Sequence, residues 1–271
     1  MKKETTRREL FKIATVAGAS AIGAGITGYA LGAPVRAEEA TWPWPLDKKI
    51  KPKAAAQKAY ENYYVRGCMY GTLVGIAKDV ADKLGAPYSQ FPWEMSHYGA
   101  GGVELWGSTC GTLNGGALAL ALFVGDTALR RKMCNQLFNW YESTKLPTWS
   151  PKKPLRDVPK KLPKSESNSP LCHTSVLRWC ESSGYDAFSP ERADRCGRLC
   201  GSVATFVVNM LNEALIKGKL KSRDELSTVA TGCLACHGSG DAGLNEPNIL
   251  SRMDCEPCHD AETDKTTYPH P

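Results

Sequence analysis

Histidine is scarce in this chain, five among 271 residues, and no surplus of charge marks its folded part. The formal net charge is +6. Residues 1–37, however, hold six basic side chains (Lys2, Lys3, Arg7, Arg8, Lys12 and Arg36) against Glu4 and Glu9, and the remainder carries 28 basic against 26 acidic side chains. A nucleic-acid footprint needs a basic stripe in the folded part, so nucleic acid is not an expected partner. No nucleophile–base constellation, phosphate-cradling loop or metalloprotease motif is present. With 42% hydrophobic and 23% charged residues, the composition is that of a folded soluble protein and excludes a disordered chain, a collagen and a polytopic membrane protein. The abundant residue is cysteine, eleven in all. A chain of this length does not need disulfides for want of a core, so the thiols require another explanation.

The first 37 residues read as an address. Thr6-Arg7-Arg8-Glu9-Leu10-Phe11-Lys12 precedes an uncharged stretch, Ile13 to Leu31, and then Val35-Arg36-Ala37 with small residues where a signal peptidase cuts. The paired arginines resemble the twin-arginine export signal. The competing reading is a retained anchor, but the stretch is rich in glycine and poor in large aliphatic residues. The expectation is a cleaved signal, no stable membrane insertion afterwards, and a periplasmic protein.

The mature chain reads as mainly α: a helical, bundle-like domain over 53–221, after an exposed arm at 38–52, followed by a short irregular segment at 222–271. Val65, Met69, Leu73, Ile76, Val80 and Leu84 mark one face of a helix from Lys53 to Leu84, ended by Gly85-Ala86-Pro87. Further helices are predicted at Val103–Val124, at 127–142 capped by Asp126, at 171–183, and from Ser189-Pro190-Glu191 to Ile216. Ser222-x-x-Glu225 reads as a capping box. Residues 147–170 contain six prolines with many Lys and Ser and form a long loop.

Past residue 230 large apolar side chains become rare, and such a segment cannot close around a core of its own. It holds the one internal repeat, Cys233-Leu234-Ala235-Cys236-His237 and Cys255-Glu256-Pro257-Cys258-His259. In c-type haem attachment two thiols bond the haem vinyl groups and the next residue, His, ligates the iron. Zinc would accept the same cysteine spacing, and two disulfides would suit an exported protein, but neither needs the histidine after each pair. The expectation is two haems c per chain, tethered by Cys233, Cys236, Cys255 and Cys258, with His237 and His259 as proximal ligands. Candidate distal ligands are His173 and His97, then His270, with Met69, Met95, Met133, Met210 and Met253 as alternatives. A ligand from a second subunit is also open.

Seven cysteines precede this segment. Cys110 lies on the stripe of Leu113 and Ala117, Cys196 on that of Leu199 and Val203, and Cys68 borders Val65 and Met69, so at least three thiols point toward a common helical core. Each alone reads as an inert buried thiol; several together read as ligands of an iron–sulfur cluster. The motifs Gly67-Cys68-Met69-Tyr70-Gly71, Gly107-Ser108-Thr109-Cys110-Gly111, Ser169-Pro170-Leu171-Cys172-His173 and Arg195-Cys196-Gly197-Arg198-Leu199 resemble the C-GCxxG-C-C redox family. With two CxxCH motifs added, the chain from about residue 55 resembles the split-Soret cytochromes c. The resemblance implies a helical domain with an iron–sulfur centre, two bis-histidine haems, and a homodimer. Carried over by position, the cluster candidates are Cys68, Cys110, Cys172 and Cys196. The family pattern has a cysteine ahead of GCxxG; none precedes Cys68. Cys134, Cys180 and Cys200 receive no role.

The function expected is electron transfer in periplasmic anaerobic respiration, between redox partner proteins. The alternatives are a small reductase using a haem or the cluster as substrate site, or a redox subunit of a larger complex. The 147–170 loop reads first as a plain solvated loop; the alternatives are a docking surface for that larger complex, or lysines (152, 153, 160, 161, 164) that steer an acidic partner.

Overall fold

The computed structural model describes residues 39–220, 226, 228–238 and 251–256. The signal at 1–37, the capping box at 222–225, and Cys258, His259 and His270 lie outside the described residues. The protein is mainly α-helical, and no strand occurs among the described residues: α1 (Pro52–Leu84), α2 (Gly111–Phe123), α3 (Thr127–Ser143), α4 (Cys172–Ser183), α5 (Pro190–Leu211) and α6 (Thr228–His237). Short 3-10 turns occupy Tyr88–Gln90 and Trp93–Gly99, and a π-turn, Asn212–Ile216, extends α5.

The single helix expected over 53–84 is two arms that double back. Arg66 (φ −146°, ψ 30°) and Gly67 (φ 80°, ψ −173°) leave helical geometry. Gly67 has the positive φ that favours glycine. The arms then pack through small residues: a Cβ on Gly75 would sit 2.5 Å from Ala59 Cβ, and one on Gly71 would sit 2.7 Å from Ala59 O. One consequence is that Val65, expected on the buried stripe, is 64% exposed.

The caps read from sequence are in place. Asp126 accepts from Leu129 N–H at 2.6 Å to open α3, and Ser189 accepts from Arg192 N–H at 3.1 Å to open α5. The helix expected from Val103 starts only at Gly111. Residues before it form a turn in which Val103, Glu104 and Leu105 all take positive φ (61°, 45° and 69°) between Gly101, Gly102 and Gly107. Turn chemistry there overrides the apolar spacing.

α5 packs along α1, and α2 packs against both. Leu73, Ile76, Leu113, Leu120, Leu137, Val203, Val207 and Leu211 are sealed between them, each contributing about 1.5–3 kcal/mol by burial. The stretch Pro190–Ile216 is long and apolar enough by composition to cross a membrane, but 61% of its apolar window is buried within the fold. It also carries three fully buried charged residues, Asp194, Arg195 and Arg198. The arm at 38–52 is exposed at most positions but is not free. Trp44 is buried and meets Tyr88, Phe91, Trp93 and Phe123 edge-on. Its backbone N–H donates to Leu122 O at 2.7 Å, because a large aromatic side chain gains more from an aromatic pocket than from water.

Candidate metal centre

Four helical segments bring one cysteine each to a common place. Cys68 opens the second arm of α1 directly after the break, Cys110 caps α2, Cys172 is the first residue of α4, and Cys196 lies within α5. Backbone bonds fix Cys110 beside Cys172: Cys110 N–H donates to Pro170 O at 2.8 Å, and Cys172 N–H donates to Ser108 O at 2.7 Å. The glycine after Cys110 admits the third thiol, since a Cβ on Gly111 would stand 2.4 Å from Cys68 Sγ. All four cysteines line one cavity of about 540 Å3, together with Tyr63, Arg156, Arg192 and Arg195. Among the described residues no three His, Cys, Asp or Glu side chains are grouped to hold one metal ion.

The surroundings favour negative charge in that space. Three of the cysteines stand at the starts of helical segments, where the unpaired N–H groups and the macrodipole stabilise a thiolate. A hydrogen bond with Cys172 holds the Cys110 thiol down at about 5, against the opposing effect of burial. Cys172 is pushed up by that bond and then by burial, so the pair shares one proton. Burial, then Cys110, pushes Cys68 up to about 12. Arg195 is fully buried. Its Nη2 donates to Ser175 Oγ at 2.9 Å, while its Nε and Nη1 have no hydrogen-bond partner among the described residues. Burial works against its charge, but Tyr141, Cys196 and Cys110 outweigh it and hold the guanidinium ionised.

Sequence reasoning left Cys200 and the arginines out of the site. Cys200 is fully buried, and its Sγ donates to Cys196 O at 3.3 Å and to Cys68 O at 3.5 Å. It ties together the two elements that carry those cysteines. Its position four residues after Cys196 was a visible signal. A buried guanidinium facing a cavity has no sequence signature. Cys134 lies elsewhere, on a second cavity of about 290 Å3 with Glu142, Arg252 and Met253. There the Glu142 carboxyl is pushed up to about 7, first by burial and then by Asp254.

Of the CxxCH residues, Cys233 and His237 lie half-buried on α6. The helix places positions 233 and 237 one turn apart on one face. Cys255 is half-buried in the described segment 251–256. Both described candidate distal histidines are exposed. His97 Nδ1 lies 2.9 Å from Arg66 O; against a carbonyl it must donate, which leaves Nε2 of the neutral ring with its lone pair outward. His173, on the first turn of α4, abuts Gly107, whose added Cβ would meet His173 Cβ at 2.9 Å. Between the two histidines runs the positive-φ turn, which leaves Leu105 84% and Trp106 86% exposed.

Residues 74–210 match the family described as "Putative redox-active protein (C_GCAxxG_C_C)", and the chain belongs to that family of redox proteins. The matched stretch contains Cys110, Cys172 and Cys196 and begins after Cys68. The chain is also 38% identical over 228 residues to split-Soret cytochrome c of Desulfovibrio desulfuricans (strain ATCC 27774), covering 82% of this chain and 81% of that protein. A solved structure, described as a novel iron centre in the split-Soret cytochrome c from that organism, matches with a TM-score of 0.74. It is 37% identical and spans 83% of this chain and 95% of that one. The kinship read from the sequence motifs stands, and it makes this chain an electron-transfer redox protein.

Proposed function

We propose that the chain is a periplasmic c-type cytochrome carrying two haems on its C-terminal segment and an iron–sulfur centre in the cysteine-lined cavity. It passes single electrons between redox partner proteins in anaerobic respiration. The observation that carries the cluster assignment is the arrival of Cys68, Cys110, Cys172 and Cys196, from four separate segments, on one cavity beside a buried arginine with two unanswered N–H donors. A space framed by four thiols suits a multi-atom anionic centre. Unpaired donors suit its sulfurs, since hydrogen bonds to sulfur, burial and net charge set such a centre's potential.

When bound, the haems and the cluster supply one-electron iron couples; the protein sets their potentials and access. Cys233 and Cys236, and Cys255 with Cys258, would tether the haems, with His237 and His259 as proximal ligands. His97 and His173 are the favoured distal ligands among the described residues: both are exposed, and His97 already has its ring oriented by the Arg66 carbonyl. The two exposed apolar side chains between them, Leu105 and Trp106, suit the contact surface of a homodimer. Twin-arginine export fits a protein whose cluster is inserted before it crosses the membrane.

Anaerobic purification followed by haem, iron and acid-labile sulfide counts tests this directly. Two haems per chain are expected, with iron in excess of haem and sulfide present. Iron equal to haem, with no sulfide, would remove the cluster; a colourless chain would remove the cytochrome. Carbon monoxide separates transfer from the reductase alternative, because two six-coordinate haems should not bind it.

A further inference from the structure

Residues 147–170, proline-broken and rich in lysine, have the composition of a loose solvated loop. They are instead pinned along their length. Thr148 and Trp149 N–H donate to Ser202 Oγ, both at 3.0 Å, and Leu155 N–H donates to Tyr60 Oη at 2.9 Å. Arg198 donates to Lys160 O and Pro159 O, both at 2.9 Å, and Trp179 Nε1 donates to Pro163 O at 3.0 Å. Leu146 and Ser165 exchange backbone bonds at 2.9 and 3.1 Å. Arg198 is itself fully buried and held by Asp194 Oδ2 at 2.6 Å. That aspartate also accepts from Tyr64 Oη at 2.7 Å. Withdrawing an ion pair from water is unfavourable unless its remaining donors are satisfied, and here two loop carbonyls satisfy them. The loop is thus built into the fold.

Its outward face is basic. Lys152, Lys153, Arg156, Lys160, Lys161 and Lys164 are all exposed, and Asp157 is the one acidic residue from 151 to 164. Outside this strip the chain after residue 37 carries 22 basic against 25 acidic side chains, so the positive charge is concentrated here. Leu155, 53% exposed, gives the strip an apolar centre. The strip also reaches the redox site: Arg156 lines the cysteine cavity and lies 5.2 Å over the Tyr64 ring.

We propose that this pinned strip is the docking surface for an acidic one-electron carrier protein that exchanges electrons with the centre in the cavity. The proposal rests on the assignment of that cavity to an iron–sulfur centre. An apolar centre within a charged rim, of small area, is the pattern of transient redox encounters, and a one-signed patch raises the association rate of a partner of opposite charge. A fixed loop keeps those charges in register with the cavity mouth, which a floppy one would not.

The test uses the full holoprotein. Dithionite first reports the reducible centres present. Reduction is then followed by stopped flow at 10 and at 300 mM salt with two donors: the hydroquinone of an acidic flavodoxin, and the methyl viologen radical cation. The variant carries Lys152→Glu, Lys153→Glu, Lys160→Glu and Lys161→Glu together. With flavodoxin, the wild-type bimolecular rate should fall about tenfold or more from low to high salt, and the variant at low salt should show a similar loss. The methyl viologen rate should not fall in the variant, which also shows that the variant is folded. Flavodoxin rates unmoved by the charge reversal would overturn the docking proposal alone. Binding of an anionic vesicle or a short DNA duplex to the strip, with those rates unmoved, would assign it to another class of partner. A holoprotein with no dithionite-reducible centre besides its haems would overturn the cavity assignment, and the docking proposal with it.

Discussion

Replacing Gly111 by alanine puts a methyl group into the tightest contact of the cysteine cavity. The added Cβ would stand 2.4 Å from Cys68 Sγ, 2.4 Å from Gly99 O and 3.1 Å from Met69 N, whereas ordinary contact begins at 3.4 Å. The Cys68 sulfur, the one side-chain atom among these neighbours, must retreat by about 1 Å to reach ordinary contact, and the Gly99 carbonyl must give by a similar amount through a backbone shift. Metal–ligand distances tolerate about 0.2 Å, and the displacement is well beyond that. Overpacking of this kind destabilises a fold by about 1–3 kcal/mol, which leaves most proteins folded. Gly111→Ala should therefore lower the centre's affinity by about tenfold to a hundredfold, the effect seen when a ligand's support is removed. The assay is acid-labile sulfide and the electron paramagnetic resonance signal per chain after anaerobic gel filtration. Haem content is the internal control, because the CxxCH motifs lie on a separate segment. Full sulfide with an unchanged signal would show that Cys68 does not hold the centre, and the reasoning from Gly111 would fail.

Cys200→Ala should cost about 1–2 kcal/mol through its lost bonds and the space left behind, lowering Tm while sulfide per chain is retained; complete loss of sulfide would make Cys200 a ligand instead of a support. Glu142 gives a pH signature. Its carboxyl is pushed up to about 7 from 4.5, first by burial and then by Asp254. Its contribution to stability is fully present below about pH 4.5 and is lost as pH rises through about 7. Glu142→Gln should recover up to about 3 kcal/mol of that loss, read as a smaller fall in urea midpoint between pH 5 and pH 8; equal falls in both proteins would refute the burial argument.

The helices opened by Asp126 and Ser189 were legible because a side-chain cap and an apolar period coincide there. The reversal at Arg66–Gly67 was not, because the spacing of Met69, Leu73 and Ile76 continues smoothly from Val65 and hydropathy does not encode a positive φ. The start expected at Val103 failed for a related reason: apolar side chains at helical intervals were carried instead by a left-handed turn between glycines. Trp44 was hidden by the prolines around it, which signal a turn but say nothing of an aromatic pocket built from residues 88 to 123. The gathering of the four cysteines was legible chiefly through family resemblance. Arg195 and Arg198 were not, since arginines in a helix read as surface until a fold closes over them.

The four sulfurs around the cavity belong to positions 68, 110, 172 and 196, scattered over half the polypeptide. No two neighbouring segments can pre-form this clasp on their own. A centre seated there would cross-link the second arm of α1, α2, α4 and α5 at one point, and the entropy removed from the unfolded chain by such long loops is large. Loading would thus wait for tertiary closure and then lock it. The last event of maturation would become the main brake on unravelling.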